Sequence, residues 1–155
     1  MQKNPKLYLE TSVISMYFHD DAPYLRDLTR QFWKENLPFF NVYISEIVLD
    51  EINATSAIDF RSSFENLIKK FEVLELTEEA VKLSNIYLSY RRLPRADSLH
   101  LALASIGEMN FLVTWNLRHL FKRGTQEMIR EVNVKLRIPV PSIMTPEEFI
   151  GEEVI

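Results

Sequence analysis

The sequence predicts an α/β fold with a mainly parallel central sheet flanked by helices. Short apolar segments of strand length alternate with longer segments whose apolar residues recur at helical spacing. Strands separated by helices are typical of parallel sheets with helices on both faces. The length of 155 residues and a hydrophobic share of 46% fit a single domain, residues 1–155, with a substantial core.

In the N-terminal half, the first strand is predicted at Leu7–Glu10, an apolar run that ends in a carboxylate. Thr11 or Ser12 is expected to cap the helix that follows. The other elements of this half are predicted from apolar spacing, prolines and capping residues. They are a helix through Val13–Phe18, a helix over Tyr24–Asn36, a strand at Val42–Ile44, a helix from Glu46 to Asn53 capped by Ser45, a helix over Ala57–Phe71, and a short apolar segment at Val73–Leu76.

In the C-terminal half, Thr77 is predicted to begin a helix that extends to about Tyr90, and Arg91–Ala96 is predicted to be a loop. The helix expected at Asp97–Met109 is apolar nearly all round, which indicates that it is buried. The elements predicted after it are a strand at Phe111–Thr114, a helix started by Asn116, a helix over Gln126–Leu136, an edge strand near Val140, and a terminal helical turn over Pro146–Ile150.

The composition excludes several classes of site. Cysteine is absent, so disulfides, cysteine-ligated zinc and a cysteine nucleophile are excluded, and a reducing cytoplasm is expected. No glycine-rich phosphate loop is present. We expect neither a signal peptide nor a membrane span, because no apolar run approaches about 20 residues.

The charge distribution is uneven. The net charge is −4, yet nine Lys or Arg stand against four acids between Arg91 and Arg137. This basic segment could face phosphate groups, or its charges could simply be solvated helix faces.

Polar side chains are predicted to converge at one edge of the sheet. Glu10 ends the first strand and Asn116 follows the strand at Phe111–Thr114, so both should emerge where the carboxyl ends of parallel strands meet. Glu51 lies two turns into the helix after Ser45, and Asp97 begins the buried helix. Carboxylates that share a site repel one another, and a hard divalent cation such as Mg²⁺ or Mn²⁺ would offset that repulsion.

Each of these residues also has an ordinary structural interpretation. Glu10 and Asn116 could cap helices, Asp97 could stabilise a helix dipole, and Glu51 could face solvent. His100, on the buried helix, is more often a hydrogen-bonded core residue than a metal ligand. The metal-site interpretation therefore depends on the acids occurring together and in this order.

Four segments carry a resemblance to a known family. YLETSVIS, SEIVLDEI, LPRADSLHLALA and LVTWN, spread from about Leu7 to Phe121, resemble the PIN-domain family and within it the VapC-like toxins of toxin–antitoxin systems. The resemblance implies a PIN-like three-layer fold and Mg²⁺- or Mn²⁺-dependent hydrolysis of RNA phosphodiester bonds. It also implies a homodimer, a small antitoxin partner and a cytoplasmic location.

The resemblance also assigns residues. Glu10, Glu51 and Asp97 match the three acids that hold the metal, and Asn116 stands where a fourth acid often lies, so these four are the expected catalytic residues. Glu46 or Asp50 is an alternative to Glu51, although these two lie together on a different face of the helix. The expected supporting hydroxyl residues are Thr11, Ser12 and Thr114, and the candidate RNA-binding residues are Arg92, Arg95, Arg118 and Lys122.

Two departures from the family pattern leave alternatives open. Glu10 replaces the usual Asp, which lengthens the side chain by one methylene, and Asn116 is neutral. One alternative is therefore a catalytically weakened PIN-like domain that binds RNA or a protein without cleaving. Another is an unrelated small α/β phosphotransfer or hydrolase domain.

Overall fold

The computed structural model describes residues 4–54 and 58–151. Its described strands form one five-stranded sheet. They are β1 (Lys6–Leu9), β2 (Asn41–Ser45), β3 (Glu72–Leu74), β4 (Phe111–Val113) and β5 (Ser142–Met144). The strand order is β3-β2-β1-β4-β5, and every neighbouring pair is parallel. The predicted mainly parallel sheet is confirmed.

Seven α-helices in the described residues flank this sheet. They are α1 (Thr11–Met16), α2 (Pro23–Glu35), α3 (Glu46–Ala54), α4 (Ile58–Ile68), α5 (Glu78–Tyr90), α6 (Arg95–Ile106) and α7 (Arg123–Leu136). Short 3₁₀ helices lie at Leu37–Phe39 and Pro146–Phe149. Among these described helices, none is both long and apolar enough to cross a membrane.

The central strand β1 is covered on both faces, and all three of its last residues are fully buried. Tyr8 points toward α6, where its hydroxyl contacts His100. Leu7 pairs with Phe111, and both side chains lie on the face of the sheet opposite to that of Tyr8. On that face the Phe111 ring packs against Phe149. Because side chains alternate along a strand, β1 anchors a core on each side of the sheet.

Helix α6 begins at Arg95, earlier than predicted, and ends at Ile106 rather than Met109. Pro94 occupies the position before the helix, where its restricted backbone suits helix entry. The predicted loop Arg91–Ala96 is therefore shorter, and Asp97 lies within the first turn of α6 rather than at its start.

The helix predicted to start at Asn116 does not form. The chain after β4 makes a turn in which Asn116 Oδ1 accepts a hydrogen bond from the His119 backbone N–H at 2.9 Å. The next helix begins only at Arg123. Asn116 caps a turn because its side chain bonds to its own loop, a frequent alternative to helix capping for asparagine.

The last strand lies at Ser142–Met144 rather than near Val140. Pro139 and Pro141 flank Val140 and lack the N–H groups that a strand ladder needs. Pairing accordingly begins at Ser142, whose N–H donates to Asn110 O at 2.9 Å.

The capping predictions had mixed outcomes. Ser45 Oγ accepts from Val48 N–H at 3.3 Å, as predicted. Thr77, the predicted start of the next helix, accepts from Ala80 N–H at 3.1 Å through Oγ1. Neither Thr11 nor Ser12 caps α1, because Glu10 holds the N-cap position.

Of the helix predicted over Ala57–Phe71, the first residue lies outside the described ranges and the last turn is absent, since α4 ends at Ile68.

Candidate functional site

The candidate site lies beyond the carboxyl ends of β1 and β4. Glu10 follows β1 directly, and its backbone N–H donates to Val113 O, the last residue of β4, at 3.0 Å. Thr114 and Asn116 therefore leave the sheet beside Glu10. The parallel pairing of these two strands brings residues distant in sequence to the same edge.

Two hydroxyl groups orient the buried Glu10 carboxylate. Glu10 Oε1 accepts from Ser12 Oγ at 2.5 Å and from Thr114 Oγ1 at 2.6 Å. Each hydroxyl oxygen also accepts a backbone N–H, from Trp115 onto Ser12 at 2.8 Å and from Asn116 onto Thr114 at 2.9 Å. These backbone donors direct both hydroxyl protons toward Glu10. Ser12 and Thr114 were among the expected supporting hydroxyl residues, whereas the sequence did not reveal the backbone donors that orient them. Glu10 as a whole residue is only 5% exposed.

Glu51 is the acid of α3 that reaches the site. Its Oε1 accepts from Thr11 Oγ1 at 2.7 Å and from His100 Nε2 at 2.6 Å. Glu46 and Asp50 are exposed on other faces of α3. Among the three acids of this helix, the structure therefore brings Glu51 toward Glu10.

Asp97 and Asn116 form a pair beside Glu10. Asp97 is 8% exposed, and Asn116 Nδ2 lies 3.4 and 3.3 Å from the two oxygens of its carboxylate. The Asn116 amide oxygen instead faces the His119 backbone N–H. Asn116 thus presents a hydrogen-bond donor to Asp97, while its oxygen is used within the loop.

His100 is the site residue that the sequence interpretation did not select. Its ring is fully buried, as expected of a core histidine, and both nitrogens have partners: Nδ1 lies 2.6 Å from the Tyr8 hydroxyl, and Nε2 contacts Glu51. His100 Nε2 also lies 4.0 Å from Glu10 Oε2. Its spacing from Asp97 could have indicated that His100 lies at the site. His100 stands three residues after Asp97 on one helix and therefore shares its face.

The site concentrates negative charge in a partly buried place. Burial, followed by the charge of Glu10, raises the pKa of Asp97 above its usual range. Burial would also raise the pKa of Glu51, but the hydrogen bond and charge of His100 lower it overall. Burial opposes protonation of His100, yet Glu51 and the other nearby carboxylates raise its pKa. One histidine therefore faces three acids.

The donor atoms fit a divalent cation. One carboxylate oxygen each of Glu10 and Glu51 and a ring nitrogen of His100 lie within 4.8 Å of one another. Asp97 is outside this set, although its carboxyl group interacts electrostatically with Glu10. Carboxylate oxygens suit Mg²⁺ and Mn²⁺, and such an ion would offset the repulsion between the acids.

The basic residues selected from the sequence lie on the surface. Arg92, Arg95, Arg118 and Lys122 are all exposed. Arg95 is in the first turn of α6 with Asp97, and Arg118 is in the turn after Asn116. Arg95 and Arg118 are therefore each two residues away from a residue of the site in the sequence.

Comparisons with known proteins establish the fold. No protein-family model and no curated protein sequence matches the chain. A chain of a toxin–antitoxin complex from Klebsiella pneumoniae has a similar structure, with a TM-score of 0.60 and 16% sequence identity over 76% of this chain and 93% of that one. A chain of VapBC2 from Rickettsia felis, crystallised with a promoter DNA fragment, has a TM-score of 0.57 and 15% identity over 90% of this chain and 98% of that one. The chain therefore has the PIN-like α/β fold that its sequence motifs indicated.

Proposed function

We propose that this protein is a Mg²⁺- or Mn²⁺-dependent endoribonuclease that hydrolyses RNA phosphodiester bonds, and that it is the toxin of a type II toxin–antitoxin pair in the cytoplasm. The observation that carries the proposal is the convergence of Glu10, Glu51 and Asp97 beyond the carboxyl ends of β1 and β4. The fold shared with chains of toxin–antitoxin complexes supports it.

The three acids would have different roles in binding the metal. Glu10 and Glu51 present oxygens close enough to share one ion, and Asp97, oriented by Asn116, completes the acidic site. When bound, a divalent cation lowers the pKa of a water molecule and stabilises charge on a phosphoryl group. Thr11, Ser12 and Thr114 hold the carboxylates in place through their hydroxyl groups.

Exposed basic residues would hold the RNA backbone. The candidates flank Asp97 and Asn116 in the sequence, and among the described residues none of them forms a buried ion pair. They are Arg92, Arg95, Arg118 and Lys122. Contacts of this kind bind phosphates without reading bases. They would also make RNA binding weaken as the salt concentration rises.

The position of Glu10 supports an active site despite its additional methylene. Both hydroxyl donors bind Oε1, so the longer side chain is held in one orientation and Oε2 is directed toward His100. Catalytic geometry is sensitive to displacements of about 1 Å, and two donors on one oxygen restrict such displacement.

A second function is favoured by the orientation of Asn116. Its amide oxygen is bonded to the His119 backbone, so it adds neither charge nor a ligand oxygen to the site. A site with fewer ligands binds metal more weakly, which fits a PIN-like domain that binds RNA or a protein without cleaving. Metal affinity and RNA cleavage measured on the same preparation would separate the two functions.

Partners follow from the proposed toxin role. We propose a homodimer and a small antitoxin, one segment of which blocks the site. The neighbouring structures are toxin–antitoxin complexes, and large apolar side chains such as Tyr24 and Phe39 are exposed at 61% and 70%. Tyr17 and Phe18 are only half-buried, whereas Phe32 is fully buried and belongs to the core.

Asp97→Asn tests the nuclease directly. We expect cleavage of RNA with Mn²⁺ present to fall by roughly 100-fold or more, because the variant removes one charge from the acidic site without changing its shape. Asp50→Asn is the matched control, since Asp50 is an exposed acid on α3, and it should cleave like the wild type. Equal cleavage by wild type and Asp97→Asn would refute the assignment, and RNA binding without cleavage by the wild type would favour the second function.

A further inference from the structure

A chain of hydrogen bonds links side chains from four elements of the fold and ends at Glu51 in the site. Ser45 Oγ on β2 lies 2.8 Å from the Tyr8 hydroxyl on β1, and that hydroxyl lies 2.6 Å from His100 Nδ1 on α6. His100 Nε2 then lies 2.6 Å from Glu51 Oε1 on α3. Ser45, Tyr8 and His100 are all 0% exposed, and we call this set of four side chains the Ser45–Glu51 relay.

The direction of the last bond follows from its chemistry. An ionised carboxylate can only accept hydrogen bonds, so His100 Nε2 must carry the proton that it shares with Glu51. Nδ1 is held by the Tyr8 hydroxyl, and Ser45 Oγ accepts the Val48 backbone N–H at 3.3 Å. Val48 and Glu51 both belong to α3, so Ser45, at one end of the relay, is bonded to the helix that carries Glu51 at the other end.

Glu51 needs such support more than Glu10 does. Its side chain is 37% exposed, compared with 6% for Glu10, and a glutamate at that exposure loses several rotamers when it is fixed. His100 and Thr11 both donate to Oε1, which fixes the plane of the carboxylate. A fully buried ring that is held at both nitrogens is a stable support for this bond.

We propose that His100 is a positioning residue that holds the Glu51 carboxylate in its metal-binding orientation through the Ser45–Glu51 relay, and is not itself a metal ligand. This inference rests on the proposed metal site. Both ring nitrogens are already used in short hydrogen bonds, and the buried ring is held on both sides. Hydrogen bonds that orient a ligating carboxylate contribute strongly to metal affinity.

Two substitutions at His100 separate its two bonds. His100→Gln retains an amide donor near the position of Nε2, whereas His100→Asn places its amide near Nδ1 and leaves Glu51 without that donor. We expect Mn²⁺ affinity, measured by calorimetry, to fall by about 10- to 100-fold in His100→Asn and to be largely restored in His100→Gln. At saturating Mn²⁺, RNA cleavage by His100→Asn should recover most of the wild-type kcat, since a positioning residue takes no part in bond breaking.

A matched pair of tyrosine variants controls for stability. Tyr8→Phe removes a buried hydroxyl from the relay, and Tyr87→Phe removes a buried hydroxyl that bonds Ser105 and Asn133 elsewhere. Mn²⁺ affinity should fall in Tyr8→Phe and remain unchanged in Tyr87→Phe. This pair also decides the question if His100→Asn fails to fold, because equal Mn²⁺ affinities in the two tyrosine variants would overturn the inference.

The remaining outcomes distinguish this inference from the proposed function. Wild-type affinity in His100→Asn would overturn the positioning role while leaving the metal site intact. A nitrogen hyperfine coupling on bound Mn²⁺, seen by electron paramagnetic resonance and lost in His100→Gln, would overturn it in favour of a direct ligand. If the wild type fails to bind Mn²⁺, both the proposed metal site and this inference are refuted.

Discussion

Helix α6 carries two buried polar clusters at its opposite ends, and they differ in charge. Near its start, Asp97 and His100 join Glu10 and Glu51 in the acidic site. Near its end, Ser105 joins Tyr87 of α5 and Asn133 of α7 in what we call the Tyr87 network. Only the first cluster contains ionisable carboxylates.

The Tyr87 network is neutral and internally satisfied. The Tyr87 hydroxyl donates to Asn133 Oδ1 at 2.5 Å and lies 3.0 Å from Ser105 Oγ. Asn133 Nδ2 donates to Ser105 Oγ at 3.0 Å and to Pro139 O at 3.1 Å. Such a network stabilises the packing of three helices, because every buried polar atom has a partner.

The acidic site, in contrast, keeps a repulsion between charges that its hydrogen bonds do not remove. Its hydroxyls and histidine satisfy carboxylate oxygens, yet the charges of Glu10 and Asp97 still oppose each other, and the pKa of Asp97 is raised by burial and by Glu10. Proteins retain such destabilising groups where function requires them. Burial alone therefore does not identify a functional site, whereas buried like charges do indicate one.

Glu10→Gln should have the largest effect on the acidic site. We expect RNA cleavage to fall by roughly 100-fold or more, because the charge that would bind the metal is lost while the volume is kept. In metal-free buffer the same variant should be more stable than the wild type by on the order of 1 kcal/mol, since repulsion with Asp97 is relieved. Cleavage assays and urea denaturation measure the two effects.

Glu46→Gln is the control for this substitution, because Glu46 is an exposed acid on α3. Its cleavage rate and free energy of unfolding should match those of the wild type. A loss of stability in Glu10→Gln would show that Glu10 is a structural residue whose charge stabilises the fold.

Asn133→Ala should affect stability alone. It removes the acceptor of the Tyr87 hydroxyl and the donor to Ser105 Oγ and Pro139 O, while Tyr87 and Ser105 keep the bond to each other. We therefore expect the free energy of unfolding to fall by about 1–3 kcal/mol. Mn²⁺ affinity of the folded variant should remain at the wild-type value. A change in Mn²⁺ affinity would mean that the two clusters are coupled through α6.

The ionisation of Tyr87 should affect stability only at high pH. Burial raises the pKa of Tyr87 to about 12 from its usual value of 10.0. As the pH rises, the unfolded chain loses this proton before the folded protein does. The contribution of the raised pKa to the free energy of unfolding is therefore complete below about pH 10, and it is lost at about 1.4 kcal/mol per pH unit as the pH rises toward 12. Urea denaturation of wild type and Tyr87→Phe across this range measures it, and parallel pH profiles of the two proteins would contradict the expected shift.

The fold class and the candidate acids could be predicted from the sequence alone. Alternating strand-length and helix-length apolar segments were sufficient for a parallel sheet, because local periodicity reflects which faces are buried. The order of Glu10, Glu51 and Asp97 followed from their motifs, and the spacing of α3 distinguished Glu51 from Glu46 and Asp50.

The orientation of those acids depends on tertiary packing. The hydroxyl groups of Ser12 and Thr114 meet on Glu10 because β1 and β4 are adjacent, and their separation in sequence gives no local sign of it. His100 could be identified as a partner of Glu51 only once α6 and α3 were packed together. Hydrogen bonds between distant segments depend on side-chain orientation, which local sequence patterns do not determine.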